Sequence, residues 1–330
     1  MTETNSVFLL ARFAVLGVLS ILPTMAPAAS GQYPDRPIRF VVPFPAGGAN
    51  DIFARVVGEK LGQNLSQQVV IDNRPGGGGS MGAEIAARAL PDGYTLLLAN
   101  TGPNAIDLAL RPRNSYDPSR DFSAVTQIAS VPLVLAVYAG LPAKSLGDFI
   151  LAAKNAPGRI SYASAGNGSI AHLASELFKS QAGIDLAHIP YKGTPQALTD
   201  LISGQVAMLF TTTVASLPYI KSGRLRTLGI ADSVRSPLLP DVPTMGQAGL
   251  KGFEVSSWYG IVVPVKTPQP VISRLYSETA RVLQSPDIRQ RFESLGGNPV
   301  GSDPAAFSAF LKREAARWAE AVRISGARVD

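Results

Sequence analysis

The chain has no cysteine, only two histidines and two tryptophans, and charged residues fill only 16% of its 330 positions. Without cysteine there is no disulfide, no thiolate nucleophile, no cysteine metal ligand and no lipid anchor through an N-terminal thiol. His172 and His188 stand apart, without carboxylates at ligand spacing, so no metal site and no resident cofactor are expected. The formal charge is +6, but the densest basic pattern is the loose "KSGRLR" at 221–226. That spread leaves no nucleic-acid footprint, which needs clustered Lys and Arg, although a diffuse positive field speeds the capture of small anions. There is no G-x-S-x-G elbow. No apolar run reaches bilayer length, since the stretch from Phe13 to Leu22 is too short to span.

That short stretch follows Arg12 and ends in small residues, with Ala26 and Ala28 in a small-x-small pattern, so residues 1–28 are expected to be a cleaved signal peptide and the mature protein to be exported. The whole chain is 46% hydrophobic, and the part after residue 28 is long enough for two lobes of ordinary domain size. From Ile38 the chain alternates short apolar strands ("IRFVV", "QVVIDN", "YTLLLAN") with helices predicted from about Asn50 to Leu65 and from about Ser80. Such a rhythm calls for a largely parallel α/β sheet flanked by helices. It restarts at 156–183 and again from "IDLAHIPYKG", the mark of a second α/β lobe. Two apolar segments, 125–140 and 253–265, are placed to cross between lobes. The expected division is therefore lobe 1 at 32–130, lobe 2 at 131–252, and a return to lobe 1 at 253–330. There Asp303 caps a long helix whose apolar face docks on the folded body.

Three glycine-rich turns open helices: "PAGGAND" at 45–51, "PGGGGSMG" at 75–82 and "SAGNGS" at 164–169. The first N–H groups of a helix lack intrahelical partners and sit at the positive end of its dipole, so such turns hold carboxylates or phosphates with backbone alone. The bland alternative is tight strand-to-helix connection. Gly77, Gly79 and Gly82 match G-x-G-x-x-G, but the following strand ends in Asn100 and Thr101 where a dinucleotide site needs an acid. A hydrolase built on Ser164 and His172 with Asp51 or Asp72 is conceivable, yet His172 falls within a predicted helix, suited to capping or packing. "TTT" at 211–213 ends an apolar strand, "YKG" at 191–193 precedes a helix, and "SWYG" at 257–260 offers aromatic area; each suits a cleft wall or an ordinary strand end.

Taken together, "YPDRPIRFVVPFPAGGANDIFAR", "VVIDNRPGGGGSMGAE", "PDGYTLLLANTG", "YASAGNGSIAHLASELF", "HIPYKGTPQALTDLISGQV" and "LPDVPTMGQAGLKGFEVSSWYGIVVP" resemble the Bug-type periplasmic solute receptors of tripartite tricarboxylate transporters, in unbroken order from about Tyr33. The resemblance implies a two-lobed type II periplasmic binding protein of the Venus-flytrap kind, with no catalytic residues. It implies a monomer that carries a di- or tricarboxylate or an aromatic acid to integral-membrane transporter subunits. By motif, the first-lobe wall is Phe44, Ala46, Gly47, Gly48, Asp51 and Thr101. The second is Ser164, Ala165, Gly166, Asn167, Gly168, Lys192, Gly193, Thr211 and Thr212. Family members often carry Asp-Asn where this chain has Thr211 and Thr212, which disfavours ligands with an ammonium group. A periplasmic signalling receptor that feeds a sensor kinase needs the same cleft, and an exported hydrolase is the third reading.

Overall fold

The computed structural model of the protein describes residues 33–111 and 115–328, so the expected signal peptide lies outside the described residues. In chain order the elements are β1 (Ile38–Val42), α1 (Ala49–Leu65), β2 (Val69–Asn73), α2 (Ser80–Ala87), β3 (Thr95–Asn100), a π-helical turn (Gly102–Ile106), α3 (Asp107–Leu110), β4 (Phe122–Tyr138), α4 (Leu146–Asn155), β5 (Ser161–Ser164), α5 (Ile170–Ala182), β6 (Ala187–Pro190) and α6 (Thr194–Ile202). Then follow β7 (Met208–Thr212), α7 (Thr213–Lys221), β8 (Leu225–Ile230), β9 (Ser256–Pro264), α8 (Gln269–Gln284), α9 (Pro286–Ser294), β10 (Asn298–Pro299) and α10 (Pro304–Ser325).

The strands run in the order β2-β1-β3-β9-β4-β7-β5-β6, with β8 and β10 also paired to β4. Parallel pairing occurs where strands alternate with helices, β1 with β2 and β3, and β5 with β6 and β7. The middle of the sheet is antiparallel, because β9 returns beside β3 and β4 instead of crossing over through a helix. The two halves share β4. Its β-branched and apolar sequence "FSAVTQIASVPLVLAVY" keeps one extended strand going, whose first part pairs β9 as far as Pro132 and whose last part pairs β7 and β8 from Leu133 onward. Pro132 has no N–H to give to a ladder, so it stands where the partner changes. The returning chain crosses at the same point: Leu133 N donates to Val255 O (3.0 Å), Val255 N to Ala231 O (2.9 Å) and Ala231 N to Leu133 O (2.8 Å).

Helix α1 forms because Phe53, Val57 and Leu61 recur on one face, all fully buried, each contributing about 1.5–3 kcal/mol by leaving water. Phe53 meets Tyr259 of β9 at 4.8 Å and Phe292 of α9 at 4.9 Å between ring centroids, which fixes the start of α1 against the centre of the sheet. At the other end of the chain, Asp303 caps α10 by accepting from Ala306 N. Phe307 fits over Gly260, where any added Cβ would stand 2.2 Å from the Phe307 ring. Buried Glu314 accepts from both indoles, Trp258 Nε1 at 2.9 Å and Trp318 Nε1 at 3.0 Å. This helix packs against the π-helical turn, β4 and α3 and also against α5, so it touches both halves. No helix among the described residues is long and apolar enough to cross a membrane.

Candidate ligand-binding cleft

Between the halves lies a cavity lined by Phe44, Ala49, Asn50, Asn100, Ser257 and Tyr259 from one side, Leu133 at the switch in β4, and Ala165, Ser169, Ile170, Ala171, Thr194, Phe210, Thr211 and Thr212 from the other. The first turns of α1, α5 and α6 and the approach to α7 all open onto it. Gly48, Gly193 and Thr212, the residues that precede α1, α6 and α7, provide no side-chain cap. Their first N–H groups therefore remain available to a ligand. Only α5 is capped, by Ser169 Oγ accepting from His172 N. Among the described residues that line the cavity, none is charged. Asn50 Oδ1, Asn100 Nδ2 and Thr211 Oγ1, all on lining residues, are buried polar atoms without a protein partner. Asn100 holds its orientation because its Oδ1 accepts from Gly102 N at 3.2 Å, which leaves the Nδ2 donor free. Three uncapped helix starts, the unpaired groups Asn100 Nδ2 and Thr211 Oγ1 and the lack of a charged lining side chain are an arrangement able to hold an anion by dipoles and neutral donors.

Asp51 organises the first glycine turn. Its Oδ2 accepts from Gly47 N (3.0 Å) and from Arg55 Nε (2.9 Å). Burial opposes its ionisation, but hydrogen bonds from Arg55, Gly47 and Asn73 outweigh that and hold its carboxyl below the ordinary range. Gly47 needs its freedom, at φ +84°, whereas Gly48 sits at φ −84° with ordinary room for a Cβ.

The remaining expected residues are placed as follows. Phe44, Ala165, Thr211 and Thr212 line the cavity; Ala46, Gly47 and Lys192 are exposed. Thr101 is fully buried and its Oγ1 accepts from Trp258 N. Ser164 is fully buried, accepts from Gly166 N (3.1 Å) and lies 2.7 Å from His188 Nε2. Tyr162, His188 and His172 form a continuous ring stack, with centroids 4.6 and 4.4 Å apart. Burial, then the neighbouring His172 and Lys179, bring His188 down to about 3, and burial also lowers His172, whose Nδ1 accepts from Gly168 N. Neither imidazole lines the cavity.

The glycines at 78, 166, 168 and 193 do something sequence reading missed. A Cβ on Gly193 would stand 2.4 Å from Pro45 Cδ, and one on Gly78 2.2 Å from Asn167 O, in each case across the cleft. Gly166 in turn lies against Gly78 N. The walls thus meet backbone to backbone at the mouth, and the space left between them is about 40 Å³. Ala49, Asn50, Asn100, Leu133, Ile170, Ala171, Thr194 and Phe210 were also not foreseen as lining. The signal for them was position alone, since each lies at a strand end, a helix start or the lobe crossing. A larger depression of about 610 Å³ is bordered by Pro132, Thr213, Ile230, Leu238, Gln290 and Gly296. None of the buried polar side chains left without a partner lines it.

Residues 53–326 match the tripartite tricarboxylate transporter family receptor. Protein BugT of Bordetella pertussis is 38% identical over 318 residues, covering 96% of this chain and 98% of that one. Two solved structures superpose closely. "R. palustris Rpa4515 with adipate" has a TM-score of 0.87 at 34% identity, covering 90% of this chain and 100% of that chain. "MatC (Rpa3494) from Rhodopseudomonas palustris with bound malate" has 0.85 at 33%, covering 88% and 100%. The fold is the two-lobed periplasmic binding-protein fold, and these likenesses extend over both lobes.

Proposed function

Because the chain belongs to the tripartite tricarboxylate transporter receptor family, we propose that it captures a small organic carboxylate between its lobes, outside the cytoplasmic membrane, and delivers it to the integral-membrane subunits of a transporter. The observation that carries this reading is the cavity itself, with uncapped helix starts and no charged side chain around it. The ligand carboxylate accepts from first-turn N–H groups, while Asn100 Nδ2 and Thr211 Oγ1 give it or its distal oxygen two more donors. A ligand ammonium finds no carboxylate among the lining residues, which favours plain acids over amino acids. Adipate and malate, bound by the two structural relatives, belong to the favoured class. A ligand that contacts both walls favours the closed form over the open one and shifts the population toward it. No step of chemistry is assigned to the chain.

The lobes in this reading are 32–130 with 253–330, and 131–252, supported by the change of partners at Pro132 and the return at Val255. Residues 1–28 are assigned to an export signal. The deciding experiment is a thermal-shift and calorimetric screen of the mature protein against mono-, di- and tricarboxylates, aromatic acids and amino acids. A true ligand at a hundredfold excess over Kd adds about 2.7 kcal/mol of stability. Stabilisation by an unrelated neutral solute, with no response to any acid, would refute the proposal.

A further inference from the structure

Arg111 follows α3 on the first lobe and takes no part in lining the cavity. One arm of its guanidinium, Nη1, pairs with Asp107 one turn back. The other, Nη2, donates to the backbone oxygen of Asn167 at 3.0 Å, on the loop of the second lobe that leads into α5. Asp107 is 1% exposed, and its second oxygen lies 3.0 Å from Tyr116 OH, itself 2.7 Å from Pro103 O. The carboxylate is therefore anchored within its own lobe and holds the cation in one orientation whether or not the lobes meet. The bond to Asn167 O is different, because it exists only when the second lobe has come across.

The receiving loop is built for that approach. Gly168, at φ +84°, brings its α-carbon so near that a Cβ would stand 3.1 Å from both Arg111 Nη1 and Asp107 Oδ1. Gly78 abuts Asn167 O on its other side. From Asn167 the chain passes directly to Ser169, Ile170 and Ala171, which line the cavity, so holding Asn167 sets where the start of α5 points. The charge is also felt across the cleft, since Arg111 is among the groups that lower the His172 pKa, after burial and Lys179.

We propose that Arg111 is the interlobe latch of the receptor, a cation pre-set by Asp107 that bonds Asn167 O on closure and thereby positions the α5 start and sets how long a captured acid is retained. The retention half of this statement rests on the receptor reading; the closure half does not. The absence of cysteine allows the test. Exposed Leu90 on the first lobe and Leu151 on the second are replaced by cysteine, spin-labelled, and the distance distribution is measured in the unliganded protein. Arg111→Lys keeps a cation beside Asp107 while removing the fork, and the Arg111→Gln/Asp107→Asn pair removes both charges of the half-buried pair together. In each, the ratio of short to long distances is expected to fall about tenfold, the scale of one charge-assisted hydrogen bond, with little change in the melting temperature. With adipate or malate as probe, the dissociation rate rises by a similar factor and the association rate changes little. An unchanged distance distribution in both variants overturns the latch. If neither probe nor any other acid binds the unsubstituted protein, the receptor reading fails, yet the label distances still decide the latch.

Discussion

Gly193 gives the sharpest test of how the cleft shuts. Its backbone is fully extended, φ 169° and ψ 170°, a conformation open to any residue, so alanine fits there without local strain. Alanine loses about 0.5–1 kcal/mol as a helix N-cap and gains about 0.4–1 kcal/mol by stiffening the unfolded chain, so the two nearly cancel. The open protein should therefore melt within about 2 °C of wild type. Closure is another matter, because the new methyl would stand 2.4 Å from Pro45 Cδ and 2.5 Å from Pro45 Cγ. Carbon atoms rest about 3.5 Å apart, so the walls must part by roughly 1 Å against a rigid ring. Overpacking on this scale costs about 1–3 kcal/mol, or about 5- to 150-fold in affinity for an acid that binds the closed form. Calorimetry of Gly193→Ala beside Gly48→Ala isolates the effect, since a Cβ on Gly48 meets nothing nearer than 3.8 Å. Equal affinity in the two variants would refute the reasoning.

Three further outcomes are expected. Glu314→Ala leaves both buried indole N–H groups without an acceptor and should cost about 2–4 kcal/mol in urea unfolding, with Glu314→Gln milder because an oxygen remains. His188 titrates near 6.5 when unfolded and at about 3 when folded, so the unfolded chain binds the extra proton between those values. Stability is thus complete above 6.5 and declines as pH falls toward 3, by at most about 1.4 kcal/mol per unit, and denaturant titrations of His188→Gln should show a flatter slope in that window. Lys192 is exposed and off the cavity, so Lys192→Ala should leave acid affinity within about twofold by calorimetry; a tenfold loss would place a fixed cation in the site.

Much of the scaffold could be read from local pattern. The stripe of Phe53, Val56, Val57 and Leu61, of which only Val56 stays partly exposed, the cap at Asp303 and the strand runs at 38–42, 69–73 and 95–100 act through neighbours in sequence, which is why they were legible. The site was legible only in part. Thr211 and Thr212 stand at a strand end that local pattern marks as a cleft wall, whereas Phe44 and Ala165 came only by motif from the family resemblance. What sequence could not tell is which glycines face a ligand and which face the opposite lobe. Gly47 and Gly78 both have positive φ, but one bends a turn held by Asp51 and the other receives Asn167 from a segment some ninety positions on. Leu133 and Asn100 were hidden for the same reason, since their place in the cavity depends on the antiparallel return of β9 and not on their own neighbours.

The shared strand β4 also determines the mechanics of the molecule. The chain passes between lobes at Leu133 and near Val255, and these two crossings are bonded to each other, with Ala231 bridging them, instead of running as separate loops. Such a joint bends like a leaf spring. Its travel is limited to the twist that one continuous strand absorbs without parting its ladder, so the two lobes are geared to each other through β4 and not free to swing separately.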